Sequence, residues 1–454
     1  MNRIASRAVI VTLLVLFLVA GLSFFAVEYA AHAEAWVLFP GSPRVYNGGN
    51  IGCGTVVDRE NTLLLDMREN RTYSTDSHLR KATVHWIGDR KGSVSAPALT
   101  HYASEMVGFD RINGVYRYGN QSATAKLTLS ADVQTAALKA MGDLKGTAAV
   151  YNYKTGELLC AVTTPTFDPD NIPNIEGDTS GKYDGIYVNR FTKSVYIPGS
   201  IFKTVTLAAA LETIPDIREQ TFTCSGKYQI GTEYVTCELH HGKQDVQTAF
   251  RNSCNCAFAR IVEQLGAETL KTYVDRLGVV KSLEFDGITT APGHFDLEGA
   301  APISVAWSGI GQYTDQINPC AFMTFMGAIA GGGQGAKPHL VEEIRLGKET
   351  TYQAKTQMGE RILSEETAET LREFLRSNVE MNYGSKNFPG LTVCGKTGTA
   401  QVGGEKRSNA MFTGFVADDE YPLAFIICIE DYGYGKTAIP VISKILTACK
   451  TAVN

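Results

Sequence analysis

The chain has 454 residues, of which 44% are hydrophobic and 20% are charged, and its formal net charge is −5. This length and composition are typical of a globular protein with more than one domain and a sizeable core. The net negative charge provides no broad basic surface for phosphate backbones, so we expect no nucleic acid partner.

The first predicted element is a membrane helix from Ala8 to Val27. This stretch carries no charged side chain. As a helix with a rise of about 1.5 Å per residue, it spans the roughly 30 Å hydrocarbon core of a bilayer. A cleaved signal peptide is the alternative, suggested by the small residues of Ala31-His32-Ala33, but the apolar stretch exceeds a usual signal-peptide core. The sequence therefore favours an uncleaved anchor.

The charges around this helix predict its orientation. Arg3 and Arg7 precede it and Glu28 follows it. Because positive charge stays on the cytoplasmic side, we expect residues 1–7 to form a cytoplasmic tail and residues 28–454 to lie outside the cytoplasmic membrane.

Two sections follow the predicted anchor at 8–27. Residues 28–125 are mixed in character, with a strand-like run from Thr55 to Met67, and they predict a small extracytoplasmic module. In residues 126–454, Ser130 is a candidate cap for a helix from Ala131 to about Met141.

The remainder of the second section predicts an α+β fold. Its strand signals are Thr147 to Tyr153, Glu157 to Thr163, Leu391 to Val402, Met411 to Ala417 and Pro422 to Glu430. Its main helical signals are Phe202 to Leu211, Ala257 to Leu265, Cys320 to Ala330 and Val441 to Ala452. An early hairpin and three late strands around a helical middle predict one antiparallel sheet with helices on its faces.

The ten cysteines are scattered through a chain that is large enough to fold without disulfides, so most are expected to be buried hydrophobic residues. Cys224 and Cys237 flank a polar stretch that could fold back as a hairpin, which makes them the best candidate pair. Cys254-x-Cys256 near His240 and His241 lacks the usual zinc spacing. We therefore expect no metal and no cofactor.

A lysine stands at the start of an apolar helix in the segment PGSIFKT, from Pro198 to Thr204. Ser200 and Lys203 are three residues apart, which in a helix brings hydroxyl and amine together. Burial beside Ile201 and Phe202, and a second cation nearby, would lower the pKa of the amine and allow it to accept the serine proton. The alternative is a helix start with Ser200 as cap and Lys203 reaching water.

Two later segments have polar residues in comparable settings. Ser253 and Asn255 lie two apart in RNSCNCAF, where both side chains could face one cavity; the alternative is a cap for the helix at Ala257. Lys396 and Thr397 precede Gly398 in VCGKTGTAQ, and the glycine lets another backbone approach this strand. The alternative is an ordinary edge strand.

The three segments together resemble the signature of penicillin-recognising serine acyltransferases: Ser200-x-x-Lys203, Ser253-x-Asn255 and Lys396-Thr397-Gly398. The segments GTAAVYNYKTGELLCAVTTPTFDPD, SGIGQYTDQINPCAF and MFTGFVA extend the resemblance over most of residues 127 to 454. The chain is similar to class B penicillin-binding proteins, which are peptidoglycan D,D-transpeptidases. The resemblance implies a penicillin-binding or serine β-lactamase-like domain that includes an all-helical subdomain.

The resemblance also implies roles for the site residues. Ser200 would attack a peptidoglycan stem ending in D-alanyl-D-alanine, with Lys203 as base and Ser253 as proton relay. Substrate would be bound by Asn255, Lys396, Thr397, Gly398 and Thr399. The backbone N–H groups of Ser200 and Thr399 would form the oxyanion hole. β-Lactams would acylate the same serine, and a second stem peptide would supply the acceptor amine.

The resemblance leaves three matters open. A β-lactamase or a β-lactam-sensing receptor shares this fold, although no Glu-x-x-Leu-Asn pattern of a class A deacylating loop is present. Residues 28–125 are too few for a glycosyltransferase domain, so a separate SEDS-type polymerase is the implied partner; GTVVDRENTLLL only loosely resembles the start of a pedestal or dimerisation region. Cys254 is unusual inside its motif, and it is a packing residue if its side chain points away from the cavity.

Overall fold

The structure is a computed structural model that describes residues 2–39, 42, 45–47, 50–68, 71–107, 109–110, 114–115, 123–401 and 408–453. The residues of the predicted 28–125 module that are missing from these ranges lie outside the described residues. So does Val402, the last residue of a predicted strand. The helices of the described chain are Asn2–Val37, Ser77–Ile87, Pro97–His101, Ala103–Val107, Ala131–Met141, Arg190–Lys193, Lys203–Thr213, Val246–Arg251, Asn255–Leu277, Pro302–Ser308, Pro319–Ala330, Glu365–Asn378 and Ile439–Val453.

The N-terminal helix, Asn2–Val37, contains the whole of the predicted 8–27 span and is longer than it. Its apolar side chains, such as Leu14, Phe17 and Phe24, are exposed rather than packed against the rest of the protein. By length and composition it is a candidate membrane span. Lipid is the solvent in which such a surface is stable, since it is apolar along about 20 residues.

A five-stranded antiparallel sheet forms the centre of the C-terminal section. Its strands, in spatial order, are Leu158–Thr164, Gly146–Asn152, Leu423–Ile429, Asn409–Val416 and Val393–Ala400. The predicted hairpin thus pairs with the three late strands in one sheet, with Leu423–Ile429 directly beside Gly146–Asn152. The antiparallel sheet expected from the sequence is confirmed.

Both faces of this sheet are buried, because helices cover each of them. Val150, Phe425 and Ile427 pack with residues of the helices Ala131–Met141 and Ile439–Val453. The alternate positions Ala149, Tyr151, Ala424 and Ile426 pack with Phe322 and Met326 of the helix Pro319–Ala330. The strands therefore read as continuous hydrophobic runs, and the alternation of side chains divides them between two cores.

The cap of the helix Ala131–Met141 differs from the prediction. Ser130 occupies the N-cap position but makes no side-chain capping hydrogen bond. The Asp58 carboxylate accepts the Ala131 N–H at 2.8 Å instead. A residue of the N-terminal section thus caps a helix of the C-terminal section, which local sequence does not reveal.

A second, six-stranded sheet joins the N-terminal module to the rest of the protein. Its strands, in spatial order, are Glu349–Gln353, Val341–Leu346, Ala123–Leu127, Thr55–Val57, Leu63–Asp66 and Thr72–Tyr73. The predicted strand-like run at Thr55 to Met67 is therefore two strands. The predicted boundary between 125 and 126 falls inside Ala123–Leu127, which pairs with Val341–Leu346 on one side and Thr55–Val57 on the other.

The middle of the chain is mainly helical, but it is not the all-helical subdomain that the resemblance implied, because two short antiparallel ribbons accompany its helices. The strand Thr221–Cys224 pairs with Gly242–Asp245, and Lys227–Ile230 pairs with Glu233–Thr236. Other two-stranded pairs in the described chain are Tyr46–Asn47 with Asn50–Ile51, Phe109–Asp110 with Gly114–Val115, and Glu284–Phe285 with Ile288–Thr289. The ribbons run alongside the helix Asn255–Leu277, which is bent at Gly266.

Candidate active site

The serine of PGSIFKT lies on a tight turn that packs directly against a strand of the central sheet. The turn is the 3-10 segment Gly199–Ile201, and it leads into the helix Lys203–Thr213. A Cβ atom on Gly199 would lie 2.5 Å from the Thr399 carbonyl oxygen, and one on Gly398 would lie 2.7 Å from that of Pro198. Glycine is needed at both positions because no side chain fits. The backbone that approaches the strand at Gly398 is that of the serine turn.

Lys203 is the hub of the site. Its side chain is fully buried, and its Nζ lies 2.7 Å from Ser200 Oγ, 2.8 Å from Asn255 Oδ1 and 3.1 Å from the Ser253 carbonyl oxygen. The amide and carbonyl oxygens only accept, so each takes an N–H from the amine. A neutral amine then directs its lone pair at Ser200 Oγ, which is the geometry for accepting the hydroxyl proton.

Lys396 reaches the same place from the central sheet. Its Nζ, also fully buried, lies 3.0 Å from Ser253 Oγ and 3.1 Å from the Thr397 carbonyl oxygen. Ser253 Oγ is also 3.3 Å from Lys203 Nζ. The hydroxyl of Ser253 therefore bridges two buried amines. We call Ser200, Lys203, Ser253 and Lys396 the amine cluster; three distant segments of chain supply it.

The backbone of Ser253 adopts an uncommon conformation, with φ at +53°. For a residue with a side chain, the left-handed region costs on the order of 1–3 kcal/mol. Hydrogen bonds hold the turn: the Ser253 N–H donates to the Phe250 carbonyl at 3.1 Å, and the Cys254 N–H donates to the Ala249 carbonyl at 2.9 Å. The strained turn sets the Ser253 hydroxyl between the two amines.

Burial governs the protonation of both lysines. It lowers the pKa of Lys203 to about 8, and the neighbouring Cys237, Cys254 and Glu238 act in the opposite direction. The pKa of Lys396 lies well below its usual range, first because of burial and then because of repulsion by Lys203 and Lys436. The repulsion expected at Lys203 thus acts mainly on Lys396. Desolvation therefore brings the pKa of Lys203 close to physiological pH, where a fraction of the amine is neutral and able to accept a proton.

The threonines of the strand are each held by a neighbour. Thr397 Oγ1 lies 3.0 Å from Tyr383 Oη, and the Thr397 N–H donates to the same oxygen at 3.3 Å. Thr399 Oγ1 accepts the Gly435 N–H at 3.0 Å. These contacts fix the strand Val393–Ala400 where it passes the serine turn.

Two supporting residues were missed from the sequence. Tyr383 ends a single π-helical turn, Val379–Tyr383, whose irregular spacing gives no periodic signal. Gln312 donates to the Thr399 carbonyl oxygen at 3.1 Å. It belongs to the segment SGIGQ, so the similarity of that segment to the family was a usable signal for Gln312.

The cysteines near the second motif are free thiols, including Cys224 and Cys237, so the candidate disulfide is not formed. Cys254 is buried, and its Sγ lies 3.7 Å from Cys237 Sγ and 3.4 Å from the Ala257 N–H that it caps. Its side chain thus contacts another thiol rather than the amines, as expected of a residue that points away from the cavity.

Comparison with a known protein family agrees with the interpretation of Ser200 and Lys203 as a nucleophile and its base. The model of the penicillin binding protein transpeptidase domain matches residues 146–447, which is more than half of the chain. The chain belongs to this family. The resemblance found in the sequence motifs is therefore confirmed, and Ser200, Lys203, Ser253, Asn255 and Lys396 all lie inside the matched range.

Several curated proteins are similar in sequence to this chain. Stage V sporulation protein D of Bacillus subtilis is 27% identical over 399 residues, covering 82% of this chain and 58% of that protein. Peptidoglycan D,D-transpeptidase PbpA of Mycolicibacterium smegmatis is 27% identical, covering 67% of each. The probable peptidoglycan D,D-transpeptidase FtsI of Caulobacter vibrioides is 29% identical, covering 62% of this chain and 47% of that protein. The chain thus spans about half to two thirds of the length of these relatives.

Solved structures share the fold. The D,D-transpeptidase domain of a peptidoglycan glycosyltransferase from Eggerthella lenta superposes with a TM-score of 0.76 at 24% identity, over 88% of this chain and 98% of that one. A ceftriaxone acyl-enzyme complex of penicillin-binding protein A from M. tuberculosis superposes with a TM-score of 0.73 at 20% identity, over 87% and 98%. The α+β transpeptidase fold expected from the sequence is confirmed.

Proposed function

We propose that this protein is a peptidoglycan D,D-transpeptidase that forms a covalent acyl-enzyme on Ser200. The observation that carries the proposal is the position of Lys203 Nζ, 2.7 Å from Ser200 Oγ, in a buried site that lowers the pKa of the amine to about 8. A serine hydroxyl becomes a good nucleophile only when a positioned base removes its proton during attack. The relatives named as D,D-transpeptidases support the assignment of substrate.

The first half of the reaction is acylation. Ser200 Oγ attacks the carbonyl carbon between the last two D-alanines of a stem peptide while Lys203 Nζ takes the hydroxyl proton. The backbone N–H groups of Ser200 and Thr399 are the proposed oxyanion donors, and losing one such donor typically costs on the order of 3 kcal/mol. The tetrahedral intermediate then collapses, the peptide bond breaks, and D-alanine leaves with a proton on its amine.

Ser253 is the proposed route for that last proton. Its hydroxyl lies 3.3 Å from Lys203 Nζ and 3.0 Å from Lys396 Nζ, so a proton taken from Ser200 can pass through it to the leaving nitrogen. Asn255 would bind the substrate amide, since its side chain has two donors and two acceptor lone pairs and uses one of each on Thr236 and Lys203.

The strand Val393–Ala400 is the proposed docking edge for the substrate peptide. Lys396, Thr397 and Thr399 would bind the terminal carboxylate, and Gly398 keeps this strand close to the serine turn. A peptide added beside the strand would gain backbone hydrogen bonds. In the second half of the reaction, the amine of another stem peptide attacks the acyl-enzyme and forms the cross-link. A β-lactam would acylate Ser200 in place of the stem peptide.

The N-terminal residues support a membrane-anchored arrangement. Residues 1–7 would be a cytoplasmic tail, 8–27 the span, 28–125 a pedestal-like module and 126–454 the catalytic domain. Arg3 and Arg7 on one side of the span favour a cytoplasmic N-terminus and an extracytoplasmic site. A separate SEDS-type polymerase would then supply the glycan strands in the same membrane.

The test uses the full chain in detergent, treated with penicillin and digested for mass spectrometry. We expect one penicilloyl adduct, on Ser200, whose lifetime is much longer than the time of one turnover with a stem peptide. We also expect the enzyme to exchange D-amino acids into stem-peptide analogues. Rapid hydrolysis of the adduct would identify a β-lactamase. A stable adduct without any exchange would identify a β-lactam-sensing receptor. An adduct elsewhere would overturn the site assignment.

A further inference from the structure

Four soft ligand groups meet beside the second motif. Cys224 ends one ribbon strand, Cys237 follows another, His241 precedes a third, and Cys254 caps the helix Asn255–Leu277. One ligand atom from each of these side chains lies within 4.8 Å of all the others. We call Cys224, Cys237, His241 and Cys254 the thiol cluster; like the amine cluster, it is assembled from separate segments.

We propose that the thiol cluster binds one Zn²⁺ ion as a structural Cys₃His site. Three thiolates and an imidazole are the ligands that zinc prefers, and four protein ligands are the number found in structural zinc sites. No position remains for water or substrate in such a site, so the ion would take no part in bond making. The proposal departs from the sequence-based expectation that no metal is bound.

The spacing of the sulfur atoms supports a metal. A tetrahedral zinc with Zn–S bonds of about 2.3 Å places its sulfurs roughly 3.8 Å apart. Cys237 Sγ and Cys254 Sγ are 3.7 Å apart. A disulfide needs about 2.05 Å, and forming one would leave Cys224 and His241 without a role. The observed separation therefore suits two ligands of one ion better than a bonded pair.

His241 provides an independent observation. Its Nδ1 atom is buried, and in the described part of the chain it has no hydrogen-bond partner. A buried polar atom without a partner destabilises the folded chain. Coordination of a cation by the imidazole of His241 would explain why this residue sits among three thiols.

The ligand set also explains why the sequence pattern was misleading. Twelve residues separate Cys224 from Cys237, three separate Cys237 from His241, and twelve separate His241 from Cys254. Of Cys254-x-Cys256, only Cys254 belongs to the thiol cluster, and Cys256 Sγ approaches the Val235 carbonyl oxygen at 3.9 Å. His240 lies against Gly226 instead. The two ribbons, Thr221–Cys224 with Gly242–Asp245 and Lys227–Ile230 with Glu233–Thr236, bring together ligands that are distant in sequence. The spacing of these residues along the chain therefore does not reveal the site.

The proposed ion would position the second motif, because Cys254 is the residue between Ser253 and Asn255. The Asn255 N–H donates to Cys237 Sγ at 3.0 Å, a type of outer contact that orients metal-bound thiolates. The Asn255 Nδ2 donates to the Thr236 carbonyl at 2.8 Å. Zinc would thus tie the ribbon to the strained turn that holds Ser253. This positioning effect rests on the proposed function; zinc binding itself does not.

The test begins with metal content. The full-length protein is purified under reducing conditions with zinc present and is then dialysed. Elemental mass spectrometry should detect about one zinc ion per chain. Cobalt substituted for zinc should show the intense visible absorption of tetrahedral thiolate coordination. Protein with no zinc, and no uptake in a zinc titration, would overturn the proposal, as would a Cys237–Cys254 disulfide that persists while zinc is refused after reduction.

Two matched variants locate the site. His241→Ala should bind zinc at least about tenfold more weakly and acylate more slowly by a similar factor, whereas His240→Ala should retain both properties. Equal zinc affinity in the two variants would refute the assignment of His241 as a ligand. Circular dichroism checks folding. If His241→Ala does not fold, Cys224→Ser gives the same test. Zinc content and acylation are measured independently. A failure of the zinc proposal can therefore be distinguished from a failure of the proposed transpeptidase function.

Discussion

The amine cluster and the thiol cluster both contact the segment Ser253-Cys254-Asn255, yet they have opposite electrostatic character. In the first, the fully buried Lys203 and Lys396 share a hydroxyl, and among the described residues no carboxylate is a hydrogen-bond partner of either amine. In the second, three sulfurs and an imidazole offer electron pairs. A cluster with an excess of cationic groups is suited to proton transfer, since burial forces an amine towards its neutral form. A cluster with an excess of electron-pair donors is suited to binding a cation.

The largest expected difference between the clusters is in covalent chemistry. Ser200→Ala removes the only proposed nucleophile, so covalent labelling by fluorescent penicillin should be lost completely while the melting temperature stays close to that of the wild type. The variant Cys254→Ser should still be labelled, although more slowly, because its side chain does not touch the amines but is a proposed zinc ligand. Labelling retained in Ser200→Ala would contradict the division of roles between the two clusters.

The next largest effect concerns the base. Lys203→Ala should slow acylation by about 10²–10⁴-fold, the usual contribution of a positioned proton acceptor. Stopped-flow or quenched labelling with penicillin measures this rate. Zinc content serves as the control, since Lys203 belongs to the amine cluster alone. A variant that loses zinc together with acylation would indicate that the two clusters are not separable.

The pH dependence of acylation depends on the protonation of Lys203. The reactive form of Lys203 is neutral, and its pKa is about 8. The acylation rate should therefore rise about tenfold per pH unit well below pH 8 and level off above it. Second-order rate constants for penicillin between about pH 6 and pH 10 would reveal this. A flat profile would mean that Lys203 is already neutral throughout or that another group accepts the proton.

The smallest expected effect is at the edge of the amine cluster. Tyr383→Phe removes the hydroxyl that contacts Thr397 Oγ1 and the Thr397 N–H. Loss of such a contact typically costs about 1 kcal/mol, which corresponds to roughly a fivefold slower acylation. The phenyl ring still fits against Phe412, so thermal stability should change little. An effect as large as that of Lys203→Ala would show that Tyr383 takes part in the reaction itself.

The sequence predicted the amine cluster well because each of its contacts joins short motifs of fixed spacing. Ser200 and Lys203 share a helical turn, and the motifs containing Ser253 and Lys396 were recognised by resemblance. The positive φ of Ser253 could not be predicted, since the surrounding backbone hydrogen bonds impose it. Likewise, His241 depends on a ribbon whose register only the folded chain defines.

The central sheet was also predictable, because long apolar strands such as Leu423–Ile429 are distinct in sequence. The six-stranded sheet was not. Its strands Val341–Leu346 and Glu349–Gln353 are half exposed and carry charged residues, so their hydrophobic signal is weak. Their pairing with strands from the first third of the chain is decided by tertiary contacts.

The shared six-stranded sheet has a practical consequence for truncated proteins. A fragment that starts at residue 126 would lack residues 123–125, which pair with Ile344, Arg345 and Leu346 of the strand Val341–Leu346. Open backbone donors and acceptors of this kind invite edge-to-edge aggregation. A soluble version for inhibitor screening should therefore retain Thr55–Val57 and everything that follows it.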